Sequence, residues 1–377
     1  MDELEQRLRT ALADDALQVL PRPDALSTIR AGVRRRRRRT RVVTAASAMA
    51  AAAIAVAAAV TVPAMLDHGA RGGKPPVTPL SGSWRVAETV PLPSTAQNVT
   101  ALSATATVVW VGAPGHLLRI DTTSGAVTTY DEPGTPLALA ATPRVLWVAA
   151  RGGSGCLLEE RNAISGQRLM LHQVACRAGA ALAVTANGPD AWLVVGGPSH
   201  VSLGLYAAGR SRPVRTTTVT GSSTGVHPLA IAGAHVFVLT RTPATLRVTR
   251  LAQDLRGTPV SADAPAGVIG MAYGTHRLIL ATGAGESWVD PQTMQVRHLA
   301  DDATRDLTTG NSLLWSVVGR EPTTLVVRDP VTARRIGAVV VAGTVSHVLA
   351  IDTDLWAVAS GDDNRTAVLR LTPVGGK

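Results

Sequence analysis

From residue 84 onward the chain repeats one pattern of apolar and polar positions. An apolar residue is followed eight positions later by a Trp, or a substitute for it, inside an apolar triplet; a Gly- or Pro-containing turn and another strand-like run come next. The pairs are Leu102 and Trp110, Leu139 and Trp147, Val184 and Trp192, Leu229 and Phe237, Met271 and Ile279, Leu307 and Trp315, and Val348 and Trp356. The offset is eight in all seven copies, while successive copies stand 37, 45, 45, 42, 36 and 41 residues apart. Constant spacing inside a unit and variable spacing between units is how strands joined by surface loops behave.

Each unit reads as four short strands, in the first copy 99 to 104 (VTALSA), 108 to 112 (VVWVG), 116 to 121 (HLLRID) and 126 to 130 (AVTTY). Such a sheet is apolar on both faces and cannot stand alone. Copies stacked face to face around an axis bury one another, and units of about forty residues fit a four-stranded blade. The pattern therefore predicts an all-β fold, a seven-bladed β-propeller over residues 84 to 377. The seventh unit ends at Lys377 without room for a full fourth strand, whereas Trp84 to Val90 (WRVAETV) belongs to no other unit. That segment is expected to serve as the outer strand of the seventh blade, joining the two ends and removing an open edge. The recurring Trp residues are then blade core, since a ligand-binding aromatic cage would not need their regularity.

The region before residue 84 follows a different pattern. Leu4, Leu8, Ala11 and Leu12 fall on one helix face, Pro21-Arg22-Pro23 breaks that helix, and Asp24 begins a second. Val42 to Val62 is a charge-free run of 21 residues, about 31 Å as a helix and enough for a hydrocarbon core. Arg34, Arg35, Arg36, Arg37, Arg38, Arg39 and Arg41 stand just before it, which places the N-terminus in the cytoplasm and the repeats outside. A cleavable export signal, including a twin-arginine type, is the competing reading; the length of the run and the 41 residues ahead of it favour an uncleaved anchor. Either way the repeats are delivered outside the cytoplasm. The expected organisation is a cytoplasmic helical, Arg-rich segment (1–41), a transmembrane helix (42–62), a Gly/Pro linker (63–83) and an extracytoplasmic propeller (84–377). The short segment either meets anionic lipid or, at residues 1 to 33, docks on a cytoplasmic partner.

Charge changes the picture little. The formal excess of +10 divides equally: residues 1 to 41 hold 11 Arg against 6 acids, and the remaining 336 hold 26 basic against 21 acidic. With no Phe, Tyr or Trp in the first 41 residues, nucleic-acid binding is not expected.

Cys156 opens the third strand of the second unit and Cys176 closes its fourth. Those ends are neighbours in an antiparallel hairpin, so a disulfide is expected outside the cytoplasm. The nine His, at 68, 116, 172, 200, 227, 235, 276, 298 and 347, make no HxH or HxxxH pair, and no catalytic, cofactor or metal site is assigned. Asp352, Asp354 and Asp362-Asp363-Asn364 lack the order of a calcium loop and read as turn residues. Gly152-Gly153-Ser154-Gly155 and Gly283-Ala284-Gly285 lie between strands and are hairpin turns, not phosphate loops.

The repeats resemble the YVTN and NHL-like β-propeller repeats, whose third strand commonly ends in an Asp-x-x-Thr/Ser-Gly turn. Here the turn stands as Asp121-Thr122-Thr123-Ser124-Gly125, and more loosely as Asp290-Pro291-Gln292-Thr293 and Asp329-Pro330-Val331-Thr332. The N-terminal order of Leu-rich helix, Pro-rich break, Arg run and Ala-rich span resembles actinobacterial single-pass membrane proteins found beside extracytoplasmic-function sigma factors. That implies anti-sigma-like signalling, although the His and Cys cluster of the zinc-type anti-sigma domain is missing from residues 1 to 41. Binding, scaffolding or sensing, with a lipid bilayer and an extracytoplasmic protein or small molecule as partners, is the leading expectation. A propeller lyase or hydrolase with a site at the central channel is the alternative, and it would be supported if several of His116, His200, His276 or His347 converged with a carboxylate. A quinone-dependent dehydrogenase would place regular Trp at positions held by Tyr130 and Leu169.

Overall fold

The computed structural model describes residues 77 to 79 and 84 to 374, apart from 154, 225, 226, 275, 311, 352 and 362 to 364. The expected cytoplasmic segment with its Arg cluster, the expected transmembrane helix, most of the linker and the Asp362-Asp363-Asn364 turn lie outside these residues. Among the described residues no helix is long and apolar enough to cross a membrane.

Strands organise into seven antiparallel sheets. Their first strands are Ala101–Ala104, Gly134–Ala141, Leu182–Asn187, Leu229–Ala232, Val268–Gly274, Thr304–Gly310 and Thr344–Ile351. Each first strand touches the next, and the seventh touches the first, so they form a closed ring around an axis. In the first blade the four strands are Ala101–Ala104, Val108–Ala113, His116–Asp121 and Val127–Asp131, within two residues of the sequence expectation at each end.

The eight-residue offset has a geometric meaning. In every blade the Trp-position residue lies directly across from the residue that follows the apolar member: Ser103 faces Trp110, Ala140 Trp147, Thr185 Trp192, Ala230 Phe237, Ala272 Ile279, Thr308 Trp315 and Leu349 Trp356. Side chains alternate along a strand, so the two members of each pair point to opposite faces of the blade. The core accordingly divides into seven clusters, one per junction between neighbouring blades. Trp110 packs with Leu139 of the second blade, Trp147 with Val184 of the third, and so on round to Trp356 with Leu102 of the first. Burying both faces in this way removes roughly 25 cal/mol per Å² of apolar surface from the cost of hydration, which one isolated blade could not do.

Ring closure follows the sequence expectation. Trp84–Pro91 pairs with Thr366–Pro373 as the outer strand of the seventh blade, and Trp84 is buried edge-on against Trp315 at 4.5 Å between ring centroids. One departure lies just upstream. Val77–Pro79, expected within the linker, pairs with Val339 to Val341 as a fifth strand on the sixth blade. The physical reason is that outer strand: Arg335–Val341 carries an apolar run whose edge would otherwise be unpaired, and Pro is tolerated on an edge.

The Asp-led turns clasp neighbouring blades. Asp121, Asp290 and Asp329 each accept two backbone N–H groups within their turn, and Asn162 does the same in a fourth copy that the sequence pattern did not flag. This closed loop leaves carbonyls facing the preceding blade. Trp110 Nε1, Arg119 Nε and Tyr130 OH donate to the carbonyls of Ala163, Ile164 and Ser165; Arg250 donates to Pro291 and Gln292, Arg277 to Val331, and Arg370 to Thr122. Tyr130, at a position where a quinone-dependent dehydrogenase would place a Trp, is thus part of the clasp between the first and second blades.

Candidate functional site

The axis carries the chemistry. When the seven repeats are superposed by their register, the residue just before each apolar member is Ala101, Ala138, Ala183, Pro228, Gly270, Asp306 and His347. Five blades place a small or apolar residue there; the sixth and seventh place a carboxylate and an imidazole. In the second, fifth, sixth and seventh blades a β-bulge directly precedes this position, between Pro136 and Ala138, Val268 and Gly270, Thr304 and Asp306, and Val345 and His347. A bulge bends the strand and re-aims the next side chain.

Asp306 is buried, and its oxygens are fully engaged. Oδ1 accepts from the backbone N–H of Leu307 at 2.8 Å and faces Nε2 of His227 at 3.0 Å, while Oδ2 accepts from the N–H of Val348 at 3.0 Å. The fourth, sixth and seventh blades therefore meet at one carboxylate. His227 is set by its own backbone, which pairs with the fifth blade: its carbonyl accepts from Met271 N at 3.0 Å. Burial works against a charged His227, but the charge of Asp306 and the hydrogen bond to it outweigh that, and its pKa is raised above the ordinary imidazole value. His347 goes the other way: burial lowers its pKa, opposed by Asp306 and reinforced by the neighbouring His227. Its Nδ1 lies 3.0 Å from Ser346 Oγ.

These groups border a cavity of about 290 Å³ lined by the first strands of all seven blades and by His227. The apolar member of every repeat contributes to the wall, and among the described residues the ionisable ones on it are His227 and His347. The side chain of His227 borders this space and is 40 % exposed, whereas that of Asp306 is only 4 % exposed.

Of the four His whose convergence would support the enzyme alternative, His347 alone lies on the axis. His116 pairs with Asp131 of its own blade at 3.3 Å, His200 lies beside Ser199, and His276 sits in a hairpin turn with a left-handed backbone. His227 and Asp306 were not singled out from the sequence, because spacing rules test ligands on one element and these come from separate blades. The signal that finds them is the column of seven aligned positions, where two polar residues interrupt small ones. Among the described residues no group of three or more His, Cys, Asp or Glu is gathered as a metal ion would require.

Cys156 and Cys176 form the expected disulfide, with Cα atoms 5.8 Å apart at the open end of the second blade's outer hairpin. The same blade holds a buried ionic cluster that sequence reading did not anticipate. Arg161 contacts Glu132 at 2.7 Å and Glu159 at 2.6 Å, and Arg168 contacts Glu159 at 3.0 Å. Burial first, and then the charge of Glu159, push the Glu132 carboxyl up to about 7 against the pull of the two arginines. Glu132 lies in the connection from the first blade to the second, so the cluster is a polar junction between blades rather than part of the channel.

No known family model matches the chain, and no curated protein resembles it in sequence. Solved structures are similar in fold. BamB from Moraxella catarrhalis is 13 % identical, with a TM-score of 0.52 over 78 % of this chain and 99 % of that one. The WD40 β-propeller domain of Doa1 is 11 % identical, with a TM-score of 0.57 over 76 % and 96 % of the two chains. A chain of the mitotic checkpoint complex is 14 % identical, with a TM-score of 0.58 over 85 % and 99 %. At these identities the likeness establishes a WD40-like propeller and no activity.

Proposed function

We propose that this protein is a single-pass membrane protein whose propeller stands outside the cytoplasm and acts as a binding, scaffold or sensing module. The observation that favours binding over catalysis is the division of polar groups at the axis. A hydrolytic relay needs one imidazole shared by a hydroxyl and a carboxylate. Here the carboxylate-paired imidazole is His227 and the hydroxyl-paired one is His347, so neither completes a relay. Asp306, fixed by two backbone N–H groups, is built to hold His227 in place.

The placement outside the cytoplasm rests on the apolar run Val42 to Val62, the Arg34 to Arg41 cluster before it and the Cys156–Cys176 disulfide, which suits an oxidising compartment. Residues 1 to 33 would then face the cytoplasm, available to lipid or to a regulator. Protease treatment of intact cells carrying a tag at each end tests this. A full-length species whose C-terminal tag is digested from outside supports the anchored propeller; a shortened, released species replaces the anchor with an export signal; a protected C-terminus overturns the topology.

A further inference from the structure

We infer that the loop 208–214 of the third blade, with Arg144 and Ile164 of the second, is a docking surface for an acidic segment of another protein that carries apolar side chains between its carboxylates. This deepens the binding-module reading and rests on it. The loop breaks a rule that four other blades follow. In the first, second, fifth and sixth blades the third and fourth strands are joined by the Asp- or Asn-led turn, which its own side chain closes. Between His200–Ala207 and Arg215–Thr220 no such residue stands, and the second blade holds the loop instead. The buried Glu160 carboxylate accepts from Gly209 N at 2.8 Å, and His172 Nδ1 donates to the Ser211 carbonyl at 3.3 Å. Val214 N donates to the Leu205 carbonyl at 2.7 Å and fixes the far end. A loop pinned at its ends and middle loses little freedom when a partner settles on it.

The pinned loop presents Arg210 and Arg212, both exposed and, among the described residues, without a side-chain partner. Gly209–Val214 borders an open hollow of about 480 Å³. At this end of the second and third blades the connections are 142–144, 163–167, 188–189 and 208–214; they hold Arg144, Arg210 and Arg212 and no Asp or Glu. The flanking strand ends add Arg168 and Arg215 against Asp190. An unpaired guanidinium keeps its fork of donors free for a carboxylate. Ile164 and Val214, 59 % and 47 % exposed, supply the apolar part of the surface. A phosphate or sugar-acid polymer would satisfy the arginines and leave both side chains in water, whereas an acidic peptide with interspersed apolar residues covers them as well. The surface also lies away from the N-terminal entry of the chain. Val77 pairs with Val341, at the end of the sixth blade's outer strand that leads on to the seventh blade, and the connections between third and fourth strands lie at the opposite end.

Fluorescence anisotropy with the full-length chain tests this, using labelled peptides of four Glu-Glu-Leu, four Glu-Glu-Ser or four Lys-Lys-Leu repeats, and inorganic polyphosphate as a competitor. The Glu-Glu-Leu peptide is expected to bind about tenfold more tightly than the Glu-Glu-Ser peptide, and the Lys-Lys-Leu peptide not at all. Arg210→Ala with Arg212→Ala should weaken the Glu-Glu-Leu peptide about tenfold, and Val214→Ser should weaken it without affecting the Glu-Glu-Ser peptide. Arg334→Ala with Arg335→Ala removes the same charge at the same end of the sixth blade and should leave binding unchanged. No binding of the Glu-Glu-Leu peptide, equal affinity for its Ser counterpart, or an equal loss in the sixth-blade variant would each overturn the inference. Polyphosphate that binds as tightly, with the same dependence on Arg210 and Arg212, would assign the surface to a phosphate polymer and overturn it too. These outcomes are separate from the protease test of topology: a failed peptide leaves the anchored module standing with another face as its binding surface, and a protected C-terminus changes the compartment without changing the peptide result.

Discussion

His227 and Asp306 sit on blades that are not neighbours, yet Nε2 of one is 3.0 Å from Oδ1 of the other, and the same carboxylate reaches Val348 of the seventh blade. One side chain thereby ties three inner strands around the axis.

Replacing Asp306 with Ala should cost roughly 1–3 kcal/mol, because the buried N–H of Val348 loses its acceptor. The pH dependence should change as well. A histidine whose folded pKa is raised contributes stability that is complete below its unfolded value, about 6.5, and is lost as pH rises through the folded value. Unfolding of the unsubstituted chain, followed from pH 5.5 to 9, should show that decline, and Asp306→Ala should flatten it. Identical slopes would show that the pair does not persist in solution.

The Glu132 carboxyl gives a second, separable pH effect. Its folded pKa of about 7 lies above the ordinary value of 4.5, so the folded state holds the proton more tightly. The resulting stability is complete below about 4.5 and fades as pH rises to about 7, where it levels off. Glu132→Gln, neutral throughout, should remove that portion of the profile. Melting temperatures measured across this window for both proteins provide the check.

Trp84 should behave as a core residue although it lies at the start of the described ring. Its burial against Trp315 predicts that Trp84→Ala costs about 3–5 kcal/mol. Urea unfolding would show this as a lower midpoint, whereas a change below about 1 kcal/mol would mean that the seam strand is not packed as described.

The fifth residue of the Asp- or Asn-led turn has a left-handed backbone in all four copies, at Gly125, Gly166, Met294 and Ala333. Ala333 carries a Cβ in that conformation and is only partly buried, so Ala333→Gly should stabilise by about 1 kcal/mol. Met294 is buried, and the same change there should show no such gain. Paired thermal melts of the two variants separate backbone strain from packing.

Removing the Cys156–Cys176 bond should cost about 3 kcal/mol by the loop-entropy argument, given its sequence separation of 20. The Cys156→Ser, Cys176→Ser double variant and the reduced natural chain should melt at the same lowered temperature. A reductant-insensitive melt would mean that the thiols are not paired.

Much of the architecture was legible because a propeller repeats one local rule. The eight-residue offset between Leu102 and Trp110, and between their six counterparts, reports a fixed strand register, and alternation within a strand assigns the two residues to opposite faces. The unclaimed Trp84 to Val90 segment identified the closing strand for the same reason: its partner was missing from the seventh unit. Val77–Pro79 escaped notice because a short edge addition leaves no periodicity to detect. Asn162 escaped because it replaces Asp in the turn while preserving the side-chain acceptor that the turn requires.

The sequence by itself determined which residues form blades, how many blades there are, and which cysteines pair, because each of these depends on spacing along the strand or across one hairpin. Only the tertiary structure decided that His227, Asp306 and His347 share an axis and that Glu132 meets Arg161 between blades. Those meetings join residues of different blades, 29 apart for Glu132 and Arg161 and 79 apart for His227 and Asp306, where sequence distance carries no information about distance in space. The local rule states what each blade is, while the closure of seven of them states which side chains face the same cavity.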